Sequence, residues 1–258
     1  MSFHPLQDWS NKFSLTGPAL GMFIVSSSSF LSECCATTGL GWLAVDMEAS
    51  AATRHDLIHI AQSLNGSTVT LFVRVAQNNQ QYIEAALDAG AHGIIIPKIS
   101  TYQDARDAVN ASYYPPVGRR GINPIRCSSY FKHVDDYLSN ANSQIFCIPQ
   151  IETREAVQNI DAIASVKGIR GLFIGCGDLA MDYGTPGHFD NTFMHDARMA
   201  VLAACKKYKL IPGIFAYSIA SAKMYIRENF KMIGIGNEIQ FLRNAIENTI
   251  LDITAEHL

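Results

Sequence analysis

The sequence predicts a closed (β/α)8 barrel of the TIM type. Eight short, near-continuously apolar runs recur along its 258 residues, stretches of helical period separate them, and most runs end in a polar or charged residue. Parallel strands covered on both faces read as continuous apolar runs rather than alternating ones. Strand–helix alternation repeated eight times fits the ordinary size of such a barrel. A doubly wound open sheet is the competing arrangement, because periodicity does not count strands around a closure.

In chain order, the first run is 19–25 (ALGMFIV), followed by a helical stretch that contains Cys34 and Cys35. The second, 41–48 (GWLAVDME), ends on Asp46 and Glu48, and the third, 68–75 (TVTLFVRV), on Arg74. An amphipathic stretch at 79–89 (NQQYIEAALDA) leads through Gly90 into the fourth run, 93–99 (GIIIPKI), with Lys98 near its end. Residues 113–142 exceed one loop and predict an elaborated connection into the fifth run, 145–152 (IFCIPQIE), which ends on Gln150 and Glu152. A helix over 153–166 precedes the sixth run, 171–178 (GLFIGCGD), ending on Asp178. The last two runs are 211–217 (IPGIFAY) and 232–238 (MIGIGNE), the latter with Asn237. In a barrel these polar ends converge on one C-terminal rim, where active sites are built.

Composition narrows the class. With 48% hydrophobic and 17% charged residues, the chain can bury one large core, and it is read as a single barrel domain over 1–258. The net charge of −3, without clustered Lys or Arg, offers no footprint for nucleic acid. Residues 1–30 lack a basic stretch followed by a long apolar one, so no signal peptide is expected. No apolar run approaches the ~20 residues that span a bilayer. The six cysteines show no metal-ligand spacing and read as reduced thiols, mostly core filler, of a cytoplasmic protein.

Glu152 and Asp178, at the ends of successive runs, would lie on neighbouring strands about 5 Å apart. Such a pair can share a proton, act as acid and base, or bind a hard divalent cation; each acid could instead cap the helix that follows it. An oxygen-only pair favours Mg2+ or Mn2+, with Co2+ a further option, over structural zinc. A guanidinium at the end of an apolar strand is costly unless paired, and Asp46 could supply the partner for Arg74. That pair is either structural or a clamp for a substrate carbonyl. The segment 175–180 (GCGDLA) follows a strand, but Asp178 stands where a pyrophosphate would approach, so a small carboxylate suits its backbone N–H groups better than a dinucleotide. The eight histidines are poorly placed for catalysis, and no G-x-S-x-G elbow is present.

Several segments together resemble the HpcH/HpaI family of class II 2-oxo-acid aldolases: 149–180 (PQIETREAVQNIDAIASVKGIRGLFIGCGDLA), VDMEAS at 45–50, FVRV at 72–75, AGAHGIIIPKI at 89–99, SYYPPVGRRG at 112–121 and PGI at 212–214. The resemblance spans roughly residues 20 to 250. It implies a barrel of the phosphoenolpyruvate/pyruvate type, in a homo-oligomer: a hexamer of dimers that exchange the last helix. By that resemblance Glu152 and Asp178 match metal ligands, and Arg74 matches the arginine that polarises the 2-oxo group. Gln150 matches a site-lining residue, and the backbone at Gly175, Cys176, Gly177 and Asp178 matches the segment that grips the substrate carboxylate. Phe215, directly after the matching PGI, is counted with the substrate contacts. Asp46 and Glu48 join Arg74 and Glu152 as candidate catalytic groups.

The sequence departs from the family at position 49, where Ala49 stands in place of the acid/base histidine, and at 175–177, where Gly-Cys-Gly replaces Gly-Pro-Ala. The expected activity is that of an aldolase-like carbon–carbon lyase acting on a 2-oxo acid such as pyruvate or oxaloacetate through a metal-stabilised enolate. One alternative is a citrate synthase-like condensation of oxaloacetate with acetyl-CoA for siderophore biosynthesis, with no required metal. The other is a metabolite-binding barrel without chemistry.

Overall fold

The computed structural model describes residues 17–255, and eight parallel strands among them close into a barrel in sequence order. The strands are β1 Ala19–Ile24, β2 Trp42–Asp46, β3 Thr70–Arg74, β4 Gly93–Ile96, β5 Phe146–Ile151, β6 Gly171–Ile174, β7 Ile211–Phe215 and β8 Met232–Asn237. The closed barrel sets aside the open sheet. The reading of no leader rests largely on residues 1–16, which lie outside the described residues. Among the described residues no helix is long and apolar enough to cross a membrane.

Period-2 alternation sorts each strand into two cores. Outward residues such as Leu43, Val45, Leu71, Val73, Ile94 and Ile96 pack under the helices. Inward residues Phe23, Trp42, Phe72, Ile95, Phe146, Ile148, Phe173 and Met232 fill the barrel itself. Trp42 sits in this plug with no exposed surface, edge-on to Phe23 at 5.9 Å and to Phe72 and Phe173 at 6.2 Å. Gly21 makes the room: a Cβ there would come within 2.1 Å of the Trp42 ring. The same alternation carries upward, so Asp46 and Arg74, paired in register between β2 and β3, point inward one layer above the plug.

The helices carry the expected local signals. Thr53 and Thr101 form capping boxes with Asp56 and Asp104 at the starts of α2 (Arg54–Ser63) and α4 (Tyr102–Ser112). The first helix, α1 (Ser29–Ala36), contains Cys34 and Cys35, and α3 is Gln80–Asp88. Two boundaries differ from the sequence expectation. The helix over 153–166 is broken into α6 (Arg154–Gln158) and α7 (Ile160–Ala164) at Asn159, whose side chain is drawn to the carbonyl of Ser100 at 2.9 Å. The sixth run turns into a helix, α8 (Cys176–Asp182), directly after Ile174, because Cys176, Leu179 and Ala180 bury one helical face. Asp178 is therefore a first-turn helix residue and does not end a strand.

The long connection before β5 holds α5 (Val134–Gln144), and its buried Arg120 ties it to the barrel. That guanidinium donates to Asp88 at 2.6 Å and to the Tyr137 hydroxyl at 3.1 Å, and lies 4.7 Å from the Tyr114 ring centroid. The remaining helices are α9 (Thr192–Tyr208), α10 (Ile219–Arg227) and α11 (Glu238–Ala255).

Candidate active site

The C-terminal mouth of the barrel opens into a cavity of ≈ 530 Å³. Of the residues singled out in the sequence, Asp46, Arg74, Gln150 and Asp178 line it, as do Gly175, Cys176, Gly177 and Phe215. Ala49 lines it too. Glu152 lies just below, only 2% exposed, and Glu48 flanks Arg74. None of the described histidines lines the cavity; His55 and His59 face each other on α2, ring nitrogens 3.1 Å apart.

Arg74 and Asp46 form a two-point pair, Nε to Oδ1 at 2.9 Å and Nη2 to Oδ2 at 2.6 Å. Asp46 Oδ1 also accepts the backbone N–H groups of Glu48 and Ala49, each at 3.1 Å, so the acid is fixed from both sides. The guanidinium lies 5.0 Å from the Phe23 ring centroid and 3.4 Å from Glu48. Burial works against its charge, but the bond and charge of Asp46, with Glu48 and Glu152, raise its pKa above the ordinary arginine value. Nη1 keeps no protein partner among the described residues. A planar donor held this rigidly is suited to a carbonyl or enolate oxygen.

Glu152 caps nothing: Thr153 caps α6 through its own hydroxyl. The Glu152 carboxylate instead accepts the backbone N–H of Lys98 at 2.6 Å and a short bond from the Gln150 amide. Lys98 reaches it from a left-handed backbone, φ 58°, a conformation that costs a non-glycine residue about 1 kcal/mol. Thus Lys98 serves Glu152 through its main chain, while its side chain is exposed, a role that no sequence pattern marks. Burial raises the Glu152 pKa; the bonds from Gln150 and Lys98 work the other way, and Asp178 adds repulsion. Gly175 packs against this acid so closely that a Cβ would stand 2.9 Å from Glu152 Oε2.

Glu48 is also held above the usual carboxylate range, by burial first and by repulsion from Glu152 and Asp46, which Arg74 only partly offsets. A carboxyl raised in this way binds its proton more tightly when folded. Its contribution to stability therefore declines as pH climbs from the ordinary value of 4.5 through the higher folded value, and stays lower beyond it. Glu48→Gln is expected to flatten that decline. Thermal melts of both proteins from pH 4 to 8 check this, and parallel curves would count against it.

The chain is thus a closed (β/α)8 barrel whose mouth carries the Arg74–Asp46 pair beside the buried Glu152. The family model of the HpcH/HpaI aldolase/citrate lyase family matches residues 19–245. A 2-keto-3-deoxy-L-rhamnonate aldolase of Klebsiella pneumoniae is 30% identical over 235 residues, covering 90% of this chain and 87% of the relative. A solved HpcH/HpaI aldolase/citrate lyase family protein from Burkholderia cenocepacia superposes with a TM-score of 0.90 at 28% identity, over 95% of this chain and 97% of the other. The citrate synthase SbnG shares the fold at a TM-score of 0.86 and 20% identity, over 98% and 99% of the two chains. The chain belongs to the HpcH/HpaI aldolase/citrate lyase family. It is an enzyme, a carbon–carbon lyase of the class II aldolase type acting on a 2-oxo acid, which sets aside the barrel without chemistry.

Proposed function

We propose that this chain, as a single barrel domain in the cytoplasm, cleaves a 4-hydroxy-2-oxo acid into pyruvate and an aldehyde, with the pyruvate half departing as an enolate. The observation that carries this reading is Arg74, fixed by a buried acid and presenting a free N–H to the cavity. Arg74 would hold the keto oxygen and meet the negative charge that grows on it. The backbone at Gly175, Cys176 and Gly177 would orient the substrate carboxylate, with Gln150 and Phe215 shaping the floor. Glu48 and Asp46 keep the guanidinium aligned.

A divalent cation fits the same place. Asp178 lines the cavity near enough to the buried Glu152 to repel its charge, a repulsion that a cation between the two carboxylates would relieve. Glu152 and Asp178 would hold Mg2+ or Mn2+, with Co2+ also suited, and their all-oxygen character matches these hard ions. When bound, the ion supplies Lewis acidity to the 2-oxo group. Asp178→Asn, removing one ligand charge, is expected to raise the Mg2+ concentration needed for half-maximal cleavage by ~10-fold or more. A metal titration of activity reads this; an unchanged midpoint, or full activity in chelator, would move the ion elsewhere.

The condensation of oxaloacetate with acetyl-CoA is the second reading. Ala49 favours it, because the missing side chain leaves space for a second substrate beside Arg74. Release of free CoA dependent on oxaloacetate, measured in chelator, would turn the assignment that way.

The enzyme is expected to work as a homo-oligomer. The last helix, α11, leaves Ile239, Phe241, Leu242, Ile246, Ile250, Leu251 and Ile253 exposed on one chain, more apolar surface than a lone helix leaves to water. Ile246→Glu with Ile250→Glu should lower the mass seen by light scattering; a native protein that is already monomeric would refute the oligomer.

A further inference from the structure

Three polar side chains at the mouth, Asn237, Gln240 and Tyr217, have none of the roles above. Asn237 is engaged with the Gln240 backbone N–H at 2.8 Å, and Tyr217 is the one whose ring is held by aromatic contacts. Tyr217 lies two residues past the end of β7, in phase with Phe215, and so faces the same cavity. Its ring stacks on Phe189 at 4.2 Å with planes 5° apart, and meets Phe215 edge-on at 4.8 Å. Two aromatic contacts at an angle to each other fix the ring and therefore the direction of its hydroxyl. That hydroxyl settles over Gly177: a Cβ on Gly177 would stand 2.8 Å from it. It makes no hydrogen bond among the described residues, whereas Asp46, which holds Arg74, is bonded on both oxygens. A phenol remains protonated at neutral pH, and burial pushes this one up to about 12. Ala49 borders the cavity from the end of β2, separated from β7 by β1 and β8, and carries no group that can give or take a proton. Gly177 leaves room at the mouth for a phenol that can give a proton, while Ala49 offers none.

We propose that Tyr217 is a catalytic residue, the proton donor to the aldehyde oxygen, its hydroxyl aimed by the stack on Phe189 into the space above Gly177. In the condensing direction, pyruvate C3 loses a proton to water and the enolate carbon bonds to the aldehyde carbon. The carbonyl π pair moves onto oxygen, which takes the Tyr217 proton, and the phenolate regains one from water; no proton is gained or lost overall. In cleavage the proton of the C4 hydroxyl passes to the Tyr217 oxygen as the phenol gives its own to water, the C3–C4 bond pair stays with the enolate, and C3 then takes a proton from water. This assignment rests on the enolate reading of the cavity, and a second reaction separates the two. Decarboxylation of oxaloacetate passes through the same pyruvate enolate but has no aldehyde oxygen to protonate.

The test compares cleavage of 4-hydroxy-2-oxopentanoate with decarboxylation of oxaloacetate, on native full-length protein and on Tyr217→Phe, with Mg2+ present. The variant keeps the ring and its stack. The expected result is a fall in kcat for cleavage of about 10²-fold, within the range of general acid–base catalysis, with KM changed less than about threefold. The ratio of cleavage to decarboxylation falls by a similar factor. Gly177→Ala, which pushes the phenol out of its seat, should lower the same ratio by ~10-fold and covers the case in which Tyr217→Phe folds poorly. An unchanged ratio in both variants would overturn the assignment to Tyr217 and leave the enolate reading standing. Equal losses of both activities would overturn it as well, by making Tyr217 a residue of binding or packing. A native protein that performs neither reaction would refute the enolate reading, and Tyr217 with it.

Discussion

Replacing Arg74 by alanine is expected to lower kcat for 2-oxo-acid cleavage by about 10²–10³-fold, the usual cost of removing one donor aimed at a developing oxyanion. The loss should not be recovered by Arg74→Lys. An ammonium is a point charge and cannot reproduce the two-point pairing with Asp46 while also presenting a free N–H to the cavity. The alanine variant should also lose stability, because Asp46 is only 2% exposed and would keep its charge without its main partner. Removing one member of a buried pair costs about 3–5 kcal/mol, and the two backbone N–H bonds that Asp46 retains put this case at the lower end, about 3 kcal/mol. Steady-state kinetics and denaturant melts on the three proteins read both effects. Full activity in Arg74→Lys would mean that charge alone matters, and that the planar clamp does not.

The second large effect lies away from the chemistry. Trp42→Ala empties the centre of the barrel plug, where the indole meets Phe23, Phe72 and Phe173 and donates to the Ala19 carbonyl at 3.1 Å. Large-to-small changes of a buried tryptophan cost about 3–5 kcal/mol, and the surrounding rings have little freedom to close the gap. In a domain of this size that lowers the melting temperature by roughly 10 °C. A melt within about 2 °C of the native protein would mean that the plug is not the keystone of the interior.

Much of the fold was legible because it depends on local periodicity. All eight apolar runs became strands, each trimmed by a residue or more. The trimming matters most at 171–178, where glycine and cysteine look like a strand continuing, yet the burial of Cys176, Leu179 and Ala180 makes a helix. Asp178 was visible as a charged residue near a strand end; its place in the first turn of a helix was not, since that depends on which face packs. Arg74 with Asp46 was legible because a charge at the end of an apolar run needs a partner, and register supplies it on the neighbouring strand. The left-handed backbone at Lys98 was not, because the bond it makes to Glu152 runs between residues 54 apart in sequence. The role of Tyr217 is hidden in the sequence for a similar reason. A tyrosine after a strand carries no signal until Phe189, brought in from a distant loop, fixes its ring.

The motif at 112–121 teaches the opposite lesson. It is one of the segments that carry the family resemblance, yet Arg120 does not line the cavity and spends its guanidinium on Asp88, Tyr137 and the Tyr114 ring. A strong signature there reflects the cost of burying a charge in a long connection, which must be met by a fixed set of partners. Chemistry and packing write equally sharp patterns, and only geometry separates them.

Formation of an enolate held by Arg74 can be observed without knowing the aldehyde. Pyruvate in D2O, incubated with the protein and Mg2+ and followed by proton NMR, reports exchange at its methyl group. Native protein should erase the methyl signal well ahead of the uncatalysed rate, and Arg74→Ala should slow that loss by about 10²-fold or more. A methyl signal that persists with native protein, or that fades equally fast with Arg74→Ala, would contradict an enolate formed at this site.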